Sequence, residues 1–267
     1  MKKEIVFPIR INKYLAYNNF CTRRAADEII KSGRVKINGQ VAVLGTKVLE
    51  SDEVTIEKDI RRNKKLVYLA YNKPTGIVTH SPQKGERGIE DIFNYTQKVF
   101  PVGRLDKDSY GLIILTNDGR VTDRLLNPDH DHEKEYLVTV DRNISPGFLK
   151  NMAEGVILDD GYQTKPASVK KINDLTFSII LTEGKKRQIR RMCEKLERRV
   201  TELKRTRIMN IKLGGLKTRE YREIVGDEQT ELLKSIGIDN ANLSFWAKSK
   251  DDNIVKTGFV PAFCFWK

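Results

Sequence analysis

Apolar positions in the first sixty residues change period once. In RINKYLAYNNF, Ile11, Tyr14 and Leu15 recur at the three- and four-residue spacing of a helix face. CTRRAADEIIKSG continues helical, with Ala25, Ile29 and Ile30 expected inside, Arg23, Arg24 and Lys31 outside, Thr22 as N-cap and Gly33 as the stop. The period then falls to two in VKINGQVAV, where Asn38-Gly39 between alternating strands is a strong hairpin signal, and EVTI adds a strand ending at Ile56. The polar stretch EKDIRRNKK, residues 57–65, reads as a linker.

Beyond it the periods mix. Strands are expected near 67–71, 112–116, 135–140, 168–172 and 175–182, and helices near 89–94, 119–126, 145–153 and 187–196. Neither a βαβ repeat nor a Gly-rich dinucleotide fingerprint is present, so the expected fold class is α+β with a mixed, largely antiparallel sheet. The expected division is a small domain over 1–60, a linker at 61–66, a larger domain over 67–237 and a C-terminal tail over 238–267.

Charge changes the picture. The net charge of +13 is concentrated in two blocks: residues 1–65 carry 15 Lys/Arg against 8 Asp/Glu, and residues 181–210 carry 11 against 4. Two separated basic blocks that coincide with structured motifs suit a polyanion, because phosphate neutralisation releases counterions. RNA or DNA is the first partner to consider. Cys21, Cys193 and Cys264 lack paired spacing, so neither a disulfide framework nor a zinc site is indicated, and the thiols fit a reducing cytoplasm. No window has the length and apolarity of a membrane span. His130 and His132 have poor ligand spacing and read as loop residues.

Candidate chemistry centres on VGRLDKDSYGLIILTNDG, residues 102–119. Asp106 lies between Gly103 and Gly111, both read as tight backbone positions, and LIILT follows as a buried strand. A solvated turn is the bland account of Asp106, Asp108 and Asp118; other segments argue against it for Asp106. Tyr136 stands in the strand EKEYLVTV, Arg190 in EGKKRQIRRM at a helix start, and NKPTGIV at 72–78 supplies a rigid segment.

The helix, helix, hairpin order over residues 8–57 resembles the alpha-L RNA-binding domain, named after a small-subunit ribosomal protein, through Ile11, Asn12, Lys13, Tyr14, Leu15, Arg23, Arg24, Ala26, Ile29, Gly33, Val35, Asn38 and Gly39. Arg10, Lys13, Arg23, Arg24 and Lys36 are then expected to form a basic face that grips RNA backbone and shape. FPVGRLDKDSYGLI, DHEKEYLVTVD, RQIRRMCE and KRTRIMN, in that order, resemble the RNA pseudouridine synthases that modify ribosomal RNA, and among them the type acting on 23S RNA.

That resemblance implies isomerisation of uridine to pseudouridine: a C–N glycosidic bond breaks, the uracil turns, and the base rejoins the ribose through carbon. No redox change occurs and no cofactor is expected. The reaction needs a held, ionised carboxylate, which makes Asp106 the nucleophile or ribose-side base; attack on the sugar, addition to the ring and removal of a ribose proton all stay open. The resemblance makes Arg190 an active-site arginine beside that carboxylate, and Tyr136 the aromatic that stacks on an extruded base and helps move its proton. Arg104 and Leu105 are expected to fill the gap left by base extrusion, Lys107 to touch phosphate, and Lys186, Arg187 and Gln188 to clamp the strand.

One departure from the family is the aromatic tail, with Phe245, Trp246, Phe259, Phe263, Phe265 and Trp266, expected to fold back as a strand or to stack on RNA, packing being preferred. The competing readings are the same chemistry on small-subunit RNA or a transfer-RNA anticodon stem, a non-catalytic ribosome-assembly factor, and a metal-dependent nuclease, for which no convincing ligand cluster is seen. No broad apolar stripe suggests self-association, so a monomer is expected.

Overall fold

In a computed structural model of the chain, residues 7–17, 20–21, 23–57, 66–127, 130–238 and 254–257 are described, and two units separate: residues 1–65 with 238–267, and residues 66–237. The first unit runs β1 (Ile9–Arg10), α1 (Ile11–Tyr17), α2 (Arg23–Lys31), β2 (Val35–Ile37), β3 (Gln40–Val41), β4 (Lys47–Val48) and β5 (Val54–Glu57). Asn38 and Gly39 take φ of 50° and 81°, the pair of left-handed residues that a two-residue hairpin turn requires, and Ile37 faces Gln40 across it. Asn38 also donates to Asp52 Oδ1 at 2.8 Å and accepts from the Glu53 N–H at 2.8 Å, which ties the turn to the strand that follows. Ile11, Leu15, Ile29, Ile30, Val35 and Ile56 are buried together in this unit's core.

The expected inner face of the second helix needs one correction. Ala26, not Ala25, is buried; Ala25 is exposed. Spacing of three and four from Ala26 to Ile29 and Ile30 makes a single stripe, from which Ala25 lies a full residue rotation away. Thr22, the expected N-cap, lies outside the described residues.

The second unit runs β6 (Tyr68–Lys73), a 3₁₀ turn (Ile89–Asp91), β7 (Phe100–Val102), β8 (Tyr110–Thr116), α3 (Gly119–Leu125), β9 (Lys134–Val140), α4 (Pro146–Glu154), β10 (Ser168–Lys171), β11 (Thr176–Leu181), α5 (Gln188–Lys195), β12 (Val200–Ile208), β13 (Ile211–Lys212), β14 (Tyr221–Glu223) and α6 (Gly226–Ser235). The described strands form one sheet in the order β10-β11-β9-β12-β8-β6-β14, with β7 on β8 and β13 on β12. Its pairings are antiparallel except for β12 against β8, so the fold is α+β with a mixed, largely antiparallel sheet. Phe148 and Met152 of α4 and Ile189, Met192 and Cys193 of α5 pack on Val138, Phe177 and Ile179 of the sheet. Asp118 caps α3 by accepting from the Arg120 N–H, and Ser145 caps α4 by accepting from the Phe148 N–H, with Pro146 at the first turn.

A helix expected over 89–94 is only the short turn Ile89–Asp91. The Asp91 carboxylate accepts from the Gly88 N–H at 2.6 Å and so caps the start of the turn, which ends where Ile92 leaves helical geometry at φ −126° and ψ −8°. Of the tail, Ile254–Thr257 forms β15, antiparallel to β5 at the edge of the first unit's sheet. The tail aromatics from Phe245 to Trp266 lie outside the described residues.

Candidate active site

Strand β8 begins where it must begin because of one glycine. Gly111 has φ of +106°, and a Cβ there would lie 2.4 Å from the Arg205 carbonyl oxygen of β12. Gly103, at φ +76°, faces Leu126 Cδ2 at 2.9 Å by the same measure. Residues 103–111 are therefore a loop fixed at both ends by backbone that only glycine fits. Asp106 sits at its middle, half-buried, and the Ser109 N–H closes a turn on its carbonyl at 3.0 Å.

Three buried cations hold this loop from beneath through its carbonyl oxygens. Lys73, fully buried, donates from Nζ to Ser109 O at 2.9 Å, Asp106 O at 3.3 Å and Pro74 O at 2.8 Å. Arg205, 3% exposed, donates to Leu112 O at 2.7 Å and Arg104 O at 3.3 Å. Arg190 donates to Asp108 O at 3.2 Å and Val200 O at 3.1 Å. On the other side, Thr79 Oγ1 donates to Leu105 O at 2.7 Å and accepts from Leu105 N at 3.0 Å, while His80 Nε2 lies 2.9 Å from Gly103 O. The backbone of the loop is occupied almost residue by residue, and the Asp106 carboxylate is left to face the cleft formed with Thr79, His80 and Arg104.

Burial pushes the Lys73 ammonium down to about 8, Arg205 adds to this, and Asp106 and Asp108 oppose it. Arg190 is lowered chiefly by burial and raised by Asp108 and Asp106, so its charge and that of Asp106 act on each other. Arg190 Nε and Arg205 Nη2 are buried and make no hydrogen bond.

Tyr136 of β9 stands opposite Arg205 of β12, which stands opposite Gly111 of β8. The aromatic is thus two strand spacings from the end of the Asp106 loop, about 10 Å. Its ring, half-buried, rests against the core that includes Ile189 and Met192, and its hydroxyl makes no hydrogen bond among the described residues. A planar group held between Tyr136 and Asp106 would be in reach of both.

The expected site residues divide clearly. Arg104, Lys107, Lys186 and Arg187 are exposed, Lys107 in an ion pair with Glu86 at 3.0 Å and Arg187 with Asp108 at 3.3 Å. Arg10, Lys13, Arg23 and Arg24 are exposed on the first unit, and Lys36 is half-buried. Two expectations need correction. Leu105 is 6% exposed with both backbone groups bound to Thr79, so it anchors the loop and is not a free wedge for a gap in RNA. Gln188 is 4% exposed, donates to Glu183 at 2.6 Å and accepts from the Lys185 N–H at 3.0 Å; it braces the start of α5 and has no amide to offer RNA. Arg190 lies near enough to Asp106 for their charges to act on each other, and its guanidinium donates to the carbonyls of Asp108 and Val200.

Lys73 and Arg205 are buried residues holding the Asp106 loop that the sequence alone does not single out. Lys73 lay in the quoted NKPTGIV and closes a fully buried strand, which is the signal that would have found it. Arg205 lay in KRTRIMN among other charges that hid its burial. His132 is buried with Nδ1 3.0 Å from Leu125 O, a structural contact. Among the described residues no group of three or more His, Cys, Asp or Glu side chains could hold a metal ion, and no helix is long and apolar enough to cross a membrane.

A carboxylate on a loop pinned over buried cations, with an aromatic two strand spacings from the loop's end, is the arrangement of a candidate catalytic centre. Comparison with known proteins gives the family. Residues 67–195 match the RNA pseudouridylate synthase family and residues 9–54 match the S4 domain. The dual-specificity RNA pseudouridine synthase RluF of Escherichia coli (strain K12) is 44% identical over 246 residues, 91% of this chain and 84% of that protein. Ribosomal large subunit pseudouridine synthase B of Bacillus subtilis (strain 168) is 35% identical over 234 residues, 84% of this chain and 95% of that protein. A solved pseudouridylate synthase superposes with a TM-score of 0.63 at 31% identity, covering 85% of this chain and 99% of that one. The chain belongs to the RNA pseudouridine synthases, with an S4 domain in front, and is an isomerase.

Proposed function

We propose that the protein converts a specific uridine of 23S ribosomal RNA to pseudouridine, as a cytoplasmic monomer, with Asp106 as the reacting carboxylate. The observation that carries this reading is the Asp106 loop itself. Its carbonyls are bound by Lys73, Arg190 and Arg205, so the carboxylate is held still without being neutralised by a direct partner.

In this reading the target nucleotide swings out of the RNA, Arg104 fills the space it leaves, and uracil lies against Tyr136. The C1′–N1 bond breaks, the ring turns, C1′–C5 forms, the C5 proton leaves to solvent and N1 takes up a proton from solvent, so atoms balance without a co-reactant. Asp106 attacks C1′, adds to the ring or takes a ribose proton to open the sequence; each requires it ionised. The Tyr136 hydroxyl, free of other bonds, is placed to relay the C5 proton. Arg10, Lys13, Arg23, Arg24 and Lys36 on the S4 unit, with Lys186 and Arg187 on the catalytic unit, grip phosphates.

A relative named as a dual-specificity enzyme supports a second RNA substrate for this chain as well; a transfer-RNA anticodon stem is the candidate that the mapping below tests. The test is carbodiimide mapping of pseudouridine in unmodified 23S, small-subunit and transfer RNA incubated with wild type and with Asp106→Asn, EDTA present throughout. A new site in 23S RNA made only by the wild type is the expected result. Sites in the other RNAs alone would overturn the substrate assignment, and sites made equally by Asp106→Asn would overturn the role of Asp106.

A further inference from the structure

Arg219 is held in a conformation that L side chains rarely adopt, φ +72°, on an exposed loop of the catalytic unit. Such strain persists where the surroundings over-determine the backbone. Here one residue does most of that. Asn72, 4% exposed at the end of β6, accepts from the Arg219 N–H at 2.8 Å, donates its own N–H to Glu220 O at 2.9 Å, and donates from Nδ2 to Leu216 O at 2.8 Å. Glu220 closes the loop by accepting from the Lys217 N–H at 2.9 Å.

The next residue after Asn72 is Lys73, whose ammonium grips the carbonyls of Asp106 and Ser109. Two consecutive residues of one strand, Asn72 through its main chain and side chain and Lys73 through its ammonium, thus tie two loops, 216–220 and 103–109, to the same strand. Thr218 lines the same cleft as Pro74, Thr75, Asp108 and Tyr110, which puts the Arg219 loop alongside the Asp106 loop. Lys217 and Arg219 are both exposed, and among the described residues neither has a carboxylate ion-pair partner. That contrasts with Lys107 and Arg187, whose charges are already engaged by Glu86 and Asp108.

We propose that the 216–220 loop is a second phosphate clamp of the catalytic unit, in which the left-handed backbone at Arg219 presents a guanidinium without a carboxylate partner to RNA passing over the cleft of Thr218, Asp108 and Tyr110, on the neighbouring side of the Asp106 loop. The inference rests on the RNA-modifying reading above and adds a binding residue to it. A guanidinium forks onto two phosphate oxygens at once, so a fixed backbone is of more use to it than to a lysine.

The test uses wild type, Arg219→Gly, Arg219→Asn and Arg219→Lys, each measured for binding to unmodified 23S RNA over a range of KCl and for melting temperature. Glycine and asparagine both accept the left-handed backbone, so these two variants remove the charge without adding strain. Expected are about three- to tenfold weaker binding and a salt slope shallower by about 0.7 for both, the loss of one phosphate contact. Their melting temperatures should equal or exceed that of the wild type, and Arg219→Lys should keep the wild-type slope. Unchanged affinity and slope in both Arg219→Gly and Arg219→Asn, with the wild type binding RNA, would overturn the clamp alone. A wild type without salt-dependent RNA binding would overturn the RNA reading and the clamp with it.

Discussion

Arg10, Lys13, Arg23 and Arg24 stand in solvent on the S4 unit, whereas Lys73, Arg190 and Arg205 of the catalytic unit are 0%, 7% and 3% exposed. The first group keeps its hydration until a polyanion arrives, and its contribution to binding falls with salt. The second group has given up hydration permanently, and its donors end on carbonyls of the chain, several of them in the Asp106 loop. Cations of the same chemical type thus divide: buried ones fix the loop that carries the carboxylate, and exposed ones, in the proposed function, recruit RNA. Removing a member of either group should damage different quantities.

The largest effect is expected from Lys73→Met. Losing the ammonium strands the carbonyls of Asp106, Ser109 and Pro74, which should cost about 2–4 kcal/mol of stability. Displacement of Asp106 should lower the single-turnover rate about a hundredfold, with RNA affinity nearly unchanged because the exposed cations remain. Urea midpoints, single-turnover rates and RNA titration separate these three quantities. Equal losses of affinity and rate would erase the distinction between the two groups.

pH sharpens the same contrast. The Lys73 ammonium titrates near 8 when folded, pushed down by burial first and by Arg205 second, against about 10.4 for a free lysine. Between those values the unfolded chain binds more protons than the folded one, so stability rises with pH across that window. The penalty of a buried charge is therefore fully present below pH 8 and is relieved above it. Urea midpoints of the wild type should climb relative to Lys73→Met from pH 8 to 10. Parallel profiles for the two proteins would contradict the burial of a charged lysine.

Among the exposed cations, Arg23→Ala with Arg24→Ala should weaken RNA binding by about five- to thirtyfold and make the salt slope shallower by about 1.4–1.8, two phosphate contacts' worth. The loss should appear mainly in KM. The smallest effect is expected of Glu86→Gln, which frees Lys107 from a surface ion pair of 3.0 Å. Such pairs are worth about 0.2–1 kcal/mol, so RNA affinity should rise by no more than about fivefold. A fall in affinity would mean that Glu86 itself helps bind RNA.

Much of this arrangement was legible before any coordinates. Asn38-Gly39 forms the hairpin its sequence calls for, and Gly103 and Gly111 stand at positive φ where the loop needed them. Strand β12 was passed over because Glu202, Lys204, Arg205 and Arg207 break its apolar alternation, yet a charged strand is tolerated where its charges bond within the sheet or to neighbouring loops. Burial of individual residues beside a motif was the harder matter. Leu105 and Gln188 lie next to reactive or basic residues and were assigned to RNA, but adjacency in sequence does not reveal which way a side chain turns. That Arg190 acts on the loop through a backbone carbonyl, Asp108 O, has no signature in the sequence. Pairing of β15 with β5, 197 or more residues apart in the chain, has no local signature at all.

Asp106 as the reacting group is the claim on which the rest depends. Pseudouridine formation replaces the C5–H bond of uracil, so RNA made with uridine tritiated at C5 loses its label to water once per turnover. Release would be followed under single-turnover conditions with saturating wild type, Asp106→Asn and the Arg23→Ala, Arg24→Ala variant. The account predicts one tritium per RNA from the wild type, the same final yield from the double variant once saturated, and none from Asp106→Asn bound to the same RNA. Release by Asp106→Asn at the wild-type rate would contradict it.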